Sequence, residues 1–351
     1  MKGDLTLGWL TDKESIVKEI SKLYSESMDP PVFYSSGMIE TFFTVSKQEI
    51  FLAVGYKDQK AVIALPLMKK GHWQNVSYSG WDNLDLIVAK NCNSALTNQF
   101  WTLLINEIRL LKLSEWNENS TVSCQNNFFA LNSVDRRKCP YISIPESWDE
   151  LNANLGNKLV RNIRQYGNKA KKAGISFKIL EASKIDTEQK LHYLEVAFGF
   201  HSKRMSTINQ SSKFISEKIY HEEVMLKSSN VYFILGRNAD EELIACYYGF
   251  LNNKRLAWFN GGVDSNYLKY SIGTLLVAEM ISFAMTRKME IFDFLRGNET
   301  YKQKWTASFN RNKDVYISSK NPYWQAKMKT LVFNDLRSRI GGKKAIQLLL
   351  K

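Results

Sequence analysis

The chain has 351 residues, 44% of them hydrophobic and 24% charged, the composition of an ordinary globular protein of roughly two domains that needs no staple to hold its core. Its longest apolar run, Ala61 to Met68, falls far short of the ~20 residues of a membrane helix. Four cysteines (Cys92, Cys124, Cys139, Cys246) form no C-x-x-C pair, which argues against a disulfide framework or zinc site and for a reducing cytoplasm. The first fifteen residues lack the apolar region and cleavage site of a signal peptide. The net charge of +13 is unevenly spread, with 15 basic and 18 acidic side chains in residues 1–150 against 33 and 17 in the rest. Residues 156–174 carry six basic and no acidic side chains, and residues 321–351 carry seven and one. Such patches point to an anionic partner, whether nucleotide phosphate, tRNA or a lipid surface, or else are solvated helix faces.

Apolar runs at Glu49–Tyr56 and Lys60–Leu67, split by Lys57-Asp58-Gln59, predict a hairpin. Leu96, Phe100, Leu103, Leu104, Ile108 and Leu111 keep one face of a predicted helix apolar. Short strands are expected at Thr121–Cys124 and Tyr141–Ile144. Ser147 and Glu150 form an S-x-x-E capping box. Helix is expected from there through the basic stretch to Gly174, a suitable C-terminal cap. Two further helices cover Glu188–Met205 and Ser212–Lys227, followed by strands at Val231–Gly236, Leu243–Leu251 and Arg255–Gly261. A helix from Ile272 to Arg287 buries Ile272, Leu275, Leu276, Met280 and Phe283, and strands follow at Ile291–Leu295 and Asp314–Ser318. The passages Phe51–Leu67 and Tyr232–Phe250 both read strand, glycine, polar turn, strand, which predicts a duplicated module. The expected division is an N-terminal domain over residues 1–146, a C-terminal domain over 147–320 and a basic helical tail over 321–351, interrupted at Gly341-Gly342.

Phosphate-binding, dinucleotide, zinc-protease and nucleophile-elbow signatures are absent, and His72, His192, His201 and His221 are too dispersed to argue a metal site. The informative stretch is Tyr270–Trp305, a turn with one glycine, a helix, and a strand ending in polar groups. Ser271, Gly273 and Thr274 stand at a helix N-terminus, where free amides and the helix dipole favour phosphate or carboxylate. Asp293 lies between Phe292 and Phe294 and faces away from them if the strand alternates. Arg296, Gly297, Glu299, Lys302 and Lys304 follow, where strand ends meet binding crevices. The plain alternatives are an ion pair for Asp293 and Arg296, surface exposure for the two lysines and an ordinary turn for Gly273.

The segment FDFLRGNETYKQKW, preceded by YSIGTLLVAEMISFA, resembles the CelD-type acetyltransferase family associated with bacterial exopolysaccharide synthesis. There, a strand ending D-F-x-R-G-x-E-x-Y-K follows an S-x-G-x-L-L helix start. LVRNIRQYGNKAKKAGISFKI resembles that family's Arg-rich helix. WDNLDLI (Trp81–Ile87) resembles its D-Y-x-D segment, with Asn83 in place of tyrosine. The family belongs to the Gcn5-related N-acetyltransferase superfamily and is similar to the FemABX aminoacyl transferases, which hold two such domains. Tyr301-Lys302-Gln303-Lys304-Trp305 also resembles the F-K-x-G-F segment of FemABX, placing Lys302 at the lysine implicated there in catalysis.

The resemblance implies an α/β fold of two tandem Gcn5-related acetyltransferase-like domains with mixed central sheets. It also implies an acyltransferase acting on an amine or hydroxyl of a sugar, glycan or lipid-linked cell-envelope precursor. The implied donor is acetyl-CoA or another acyl-CoA, held by Ser271, Gly273 and Thr274 with Arg161 and Arg164. A single glycine departs from the R/Q-x-x-G-x-G/A loop of ordinary members, so the donor rests on the family alone. Lys302 is expected to stabilise an oxyanion or grip phosphate. Asp293, Glu279 and His201 are candidate proton acceptors, His201 being otherwise a hydrogen-bonded structural residue. Asp82, Asp85, Arg204, Arg296, Tyr301 and Trp305 are expected to bind substrate in a crevice between the domains. Two other functions compete: an aminoacyl-tRNA-dependent transferase, suited to the basic second half, and a non-catalytic subunit of a polysaccharide machine. The tail (Leu331, Phe333, Leu336 and Ile340 with Arg337, Arg339, Lys343 and Lys344) either packs on its own domain or attaches the otherwise cytoplasmic protein to the inner membrane face.

Overall fold

A computed structural model describes residues 4–120, 129–207, 209–342 and 344–345. The strand expected at Thr121–Cys124 lies outside the described residues, as does Lys343. In chain order the elements begin with β1 (Thr6–Leu10), α1 (Lys13–Glu26), α2 (Ser36–Ser46), β2 (Ile50–Lys57), β3 (Lys60–Lys69), β4 (Trp73–Asn75) and β5 (Ile87–Val88). Next come α3 (Ser94–Ile108), β6 (Leu110–Asn117), β7 (Phe129–Ser143), α4 (Trp148–Asn154), α5 (Asn157–Lys172) and β8 (Ser176–Glu181). There follow α6 (Thr187–Thr207), α7 (Lys213–Ser216), α8 (Lys218–Lys227), β9 (Val231–Arg237), β10 (Leu243–Leu251) and β11 (Arg255–Val263). The chain closes with α9 (Ile272–Thr286), β12 (Ile291–Asp293), α10 (Thr300–Trp305), β13 (Phe309–Ser319) and α11 (Pro322–Ile340).

These elements form two units that are not collinear with the sequence. One comprises Met1–Ser27, Gln48–Arg137 and Arg311–Lys351; the other comprises Met28–Lys47 and Lys138–Asn310. The expected division at residues 146 and 320 differs because α2 packs on α8, and because β13 pairs with β6.

In the first unit the strands run β1-β2-β3-β4-β6-β13. The first three joints are antiparallel, β4 runs parallel to β6, and β13 is antiparallel to β6. The β2–β3 turn has only two residues, Asp58 and Gln59, both at positive φ, the mirror-image turn that suits hairpin twist. Helix α3 ends at Ile108, and Arg109 at φ 66° reverses the chain. Leu111, assigned to that helix by spacing, is therefore a buried strand residue of β6. Helix α11 buries Met328, Val332 and Leu336 against Leu110 and Tyr316. Its Asp335 accepts hydrogen bonds from the Tyr316 hydroxyl at 2.7 Å and from Lys112. Gly341, at φ 82°, stops it. The tail up to that glycine is thus part of its own unit.

In the second unit the strands run β8-β9-β10-β11-β12 and then the end of β7. Again three antiparallel joints are followed by a parallel one, β11 with β12, and an antiparallel one, β12 with Tyr141–Ser143. The fold is α/β, two modules built on mixed sheets with one pattern of strand relations. The similar passages seen in the sequence are the second and third strands of each module. One face of the sheet packs on α4, α5 and α9 through Leu151, Leu159, Leu276, Met280 and Trp258. The other carries an aromatic cluster in which Phe198, Phe214 and His221 meet Tyr248 and Phe259.

Ser147 caps α4 by accepting the Glu150 amide at 3.2 Å, but the Glu150 carboxylate accepts the Glu146 amide, not that of Ser147. The single helix expected from here to Gly174 is broken at Leu155-Gly156, both extended. The helix expected over 212–227 is likewise split, at Glu217.

Candidate active site in the second unit

Strands β11 and β12 pair only through Arg255↔Ile291, Leu256↔Phe292 and Ala257↔Asp293. Beyond Asp293 the chain turns away through Leu295 at φ 55° and Gly297 at φ 135°. β11 continues to Val263 along β10. The sheet is therefore open on one side of Trp258–Val263, leaving a strand edge whose backbone groups β12 does not occupy. Helix α9 follows β11 in the chain. Ser271, its N-cap, lies at φ 50° and makes no side-chain capping bond. A Cβ placed on Gly273 would meet nothing within 4 Å, so the start of α9 faces open space and can receive an anion.

Aromatic groups line the strand near this opening. Tyr247 stacks on Trp258 at 4.7 Å between ring centroids, and the Trp258 side chain bears on the Tyr301 phenol. Burial pushes both phenols up, while the charge of Arg204 acts on each of them in the opposite sense. Arg204 also bears on His201, one turn earlier on α6. The Nδ1 of His201 lies 3.1 Å from the Gly261 carbonyl, and its Nε2 2.8 Å from the Ser212 hydroxyl. Burial, outweighing the Gly261 hydrogen bond, holds this imidazole below its usual pKa, so it is a neutral ring at pH 7.

Lys302 is buried, and its ammonium is shared among the Arg296 carbonyl (2.7 Å), the Leu295 carbonyl (3.4 Å) and the Glu299 carboxylate (3.1 Å). Three donors meet three acceptors, an arrangement that fixes the loop Leu295–Glu299. Gly297 is favoured there by its φ of 135°, which L side chains rarely adopt. Each hydrogen bond to a charged group contributes about 1.5–3 kcal/mol. Lys302→Met is therefore expected to lower the unfolding midpoint by several degrees, at about 2–4 °C per kcal/mol for a unit of this size. Calorimetry would decide; an unchanged midpoint would mean that the loop holds itself.

Asp293 is fully buried, with Arg255 Nη1 3.0 Å from Oδ2 and the Leu295 amide 2.8 Å from Oδ1. Arg255 also reaches Asp29 at 3.0 Å. Asp293 thus takes part in a structural ion pair, as foreseen for it, with Arg255 as a partner. Glu279, two turns into α9, has its carboxyl pushed up by desolvation. Trp305 is buried in the core behind the loop. Arg161 and Arg164 are exposed on α5. Asp82 and Asp85 belong to the first unit: Asp82 accepts from Asn312 at 2.8 Å and Asp85 from Ser120 at 2.7 Å. Trp258, Tyr247, Arg255 and Ser212 escaped the sequence reading, because an aromatic or arginine in a strand, or a serine in a loop, has no spacing that marks it. A groove of about 630 Å³ along α6, lined by Glu188, His192, Tyr193, Lys203 and Arg237, includes none of these groups. Among the described residues no cluster of His, Cys, Asp or Glu could hold a metal ion, and no helix is long and apolar enough to cross a membrane.

Residues 157–303 match the family model described as an acetyltransferase (GNAT) domain, a span that includes β11, α9, β12 and the loop to Lys302. Over nearly the whole chain the fold is that of FemX, at 9% identity, covering 92% of this chain and all of that one with a TM-score of 0.61. L-PGS from Bacillus licheniformis is similar at 9% identity, 91% and 95% coverage and a TM-score of 0.56. So is the C-terminal domain of a lysylphosphatidylglycerol synthetase candidate from Agrobacterium fabrum, at 13% identity, 92% and 98% coverage and a TM-score of 0.56. These identities bear on fold alone. A comparison with curated protein sequences finds no match.

Proposed function

We propose that the protein is an acyltransferase whose reaction takes place in the opening of the second unit. The observation that carries this reading is the three-residue limit on the β11–β12 pairing, within the stretch that matches an acetyltransferase domain. The donor's acyl group lies beside Trp258–Val263, where unpaired backbone amides can polarise its carbonyl as negative charge develops. Its phosphates rest at the start of α9. The acceptor amine or hydroxyl approaches past Tyr247, Tyr301 and Arg204, and neutral His201 is the proton acceptor. Lys302 serves by fixing the loop after β12. The CelD-type resemblance favours a sugar or cell-envelope acceptor, and acetyl-CoA is the first donor to test. Either donor would place the protein in the cytoplasm.

A second donor is favoured by one observation. On α5, Lys158, Arg161, Arg164, Lys169, Lys171 and Lys172 are exposed along one side, while Leu159, Ile163 and Ala170 pack inward. A Cβ placed on Gly167 of that helix would stand 4.0 Å from Leu275 Cδ2, in the first turn of α9. A phosphate-rich donor, aminoacyl-tRNA, would meet this face, in keeping with the FemX-like fold.

Thermal denaturation with acetyl-CoA, and separately with tRNA, decides between them. A ligand at a hundred times its Kd stabilises by about 2.7 kcal/mol. Acetyl-CoA is expected to stabilise the wild type and not Gly273→Asp, which places a carboxylate in the open space at the helix start. Stabilisation by tRNA alone, steeply lost with salt and absent in Arg161→Glu/Arg164→Glu, would select the second donor. No response to either would overturn the proposal.

A further inference from the structure

We propose that Ser212 is a nucleophile that takes the acyl group from the donor, with His201 as its base and the Gly261 carbonyl as the group that orients the base. The inference rests on reading the open stretch of β11 as the donor site, because Gly261 belongs to that stretch.

The tautomer of His201 follows from its partners. A carbonyl oxygen only accepts, so Nδ1, 3.1 Å from Gly261 O, carries the proton. The neutral ring then presents a lone pair at Nε2, and the Ser212 hydroxyl donates to it at 2.8 Å. Both ring nitrogens are engaged, so the basicity of His201 reaches a substrate through Ser212. Nucleophile, base and orienting group within hydrogen-bond reach are the general signature of an activated hydroxyl.

Two features single this pair out from an incidental contact. Ser212 occupies the N-cap position of α7, where a serine hydroxyl ordinarily accepts a bond from a first-turn amide. It makes no such bond and lies against His201 Nε2 at 2.8 Å. The imidazole is also held closely. A Cβ on Gly262 would stand 2.6 Å from Phe200 Cβ and 2.7 Å from the His201 amide nitrogen, so glycine at this position is what lets α6 lie on β11 with the ring over Gly261. Phe214 meets the ring edge-on at 5.1 Å and fixes its plane. The charge of Arg204, one turn further along α6, bears on His201.

The chemistry balances without a further reactant. Ser212 Oγ attacks the acyl carbonyl carbon as its proton passes to His201 Nε2. The bond from that carbon to the donor's sulfur or oxygen breaks, and the leaving thiolate or alkoxide takes the proton from His201. The acceptor amine or hydroxyl then attacks the acyl-serine ester, its proton passing to His201. The ester C–O bond breaks, and His201 returns a proton to Ser212.

The test uses the full chain and p-nitrophenyl acetate, an ester that needs no natural donor. The wild type should release a burst of about one equivalent of p-nitrophenolate per chain and gain one acetyl group on the peptide that contains Ser212. Ser212→Ala should lose both, Ser212→Thr should keep a slower burst, and His201→Gln should acylate at least about a hundredfold more slowly, the range of general-base assistance. Thermal midpoints near that of the wild type would show that the variants fold. Absence of the acetyl group from Ser212 in the wild type, or equal acylation in His201→Gln, would overturn the proposal. A chain stabilised by acetyl-CoA yet never acylated at Ser212 would lose only the covalent step, leaving the acyltransferase reading in place.

Discussion

Replacing Arg255 by methionine is expected to lower the unfolding free energy by about 3–5 kcal/mol, the cost of breaking a buried ion pair by removing one partner. Arg255 opens β11 and divides its guanidinium between Asp293 and Asp29, at 3.0 Å each. Burial alone would depress its pKa, yet the two carboxylates, Asp293 and Asp29, together raise it above the ordinary value. The two acids would respond differently to its loss. Asp293 is 1% exposed and would lose its Arg255 bond away from solvent, whereas the Asp29 side chain is 33% exposed and can rehydrate. Arg255→Met should therefore cost far more than Asp29→Asn, and Asp293→Asn with Arg255 intact should fall between them. Urea unfolding of the three variants checks the ranking. Equal losses for Arg255→Met and Asp29→Asn would place the stabilisation elsewhere.

Acid should destabilise the protein through His221. This ring lies in the aromatic cluster of the second unit, with Nδ1 bonded to the Tyr248 hydroxyl and Nε2 without a hydrogen-bond partner among the described residues. Burial pushes its pKa down to about 3, against about 6.5 in an unfolded chain. Below pH 6.5 the unfolded chain binds a proton that the folded ring refuses. Stability then falls with pH by up to about 1.4 kcal/mol per unit until pH 3, roughly 5 kcal/mol in all, and is flat above 6.5. His201, also lowered by burial, adds in the same direction. Denaturation midpoints between pH 4 and 8 should show a slope in the wild type that is shallower by about one proton in His221→Phe, whose ring suits the cluster. Identical slopes would show that His221 does not govern the acid limb.

The strands of the second unit were the most legible part of the chain. Val231–Arg237, Leu243–Leu251 and Arg255–Val263 are runs of aliphatic and aromatic residues separated by polar turns, a pattern with little competition from helix. Duplication was visible because central hairpins are the most constrained parts of such a sheet. Strand β8 was missed because Ser176–Glu181 is an edge strand that alternates weakly and carries charges at Lys178 and Glu181. Helices α1 and α2 were passed over as well. The first has an uncomplicated amphipathic face, Ile16, Ile20 and Leu23, under an Asp12 cap, so the signal was present and unread. Residues 28–47 could not be assigned to the second unit from sequence, since nothing local records that α2 packs against α8, some 180 residues later. For the candidate site, the sequence singled out the glycine and polar cluster from Gly273 to Lys302, within the span that matches an acetyltransferase domain. Roles within it depended on partners far away in sequence: Asp29 and Arg255 for Asp293, Ser212 and Gly261 for His201.

The interleaving of the two units has a consequence for synthesis. Strand β6 is complete by Asn117, but β13, which pairs with its free edge over Leu110–Asn117, begins at Phe309. At about 5–20 residues per second, the ribosome needs roughly 10–40 s to add the intervening 190 or so residues. Throughout that interval the nascent first unit presents an unpaired, largely apolar strand edge, a template for pairing with other chains. Neither unit can be finished before nearly the whole chain has emerged, so this protein is made as one cooperative product, and the cell must shelter its first half until the last strand arrives.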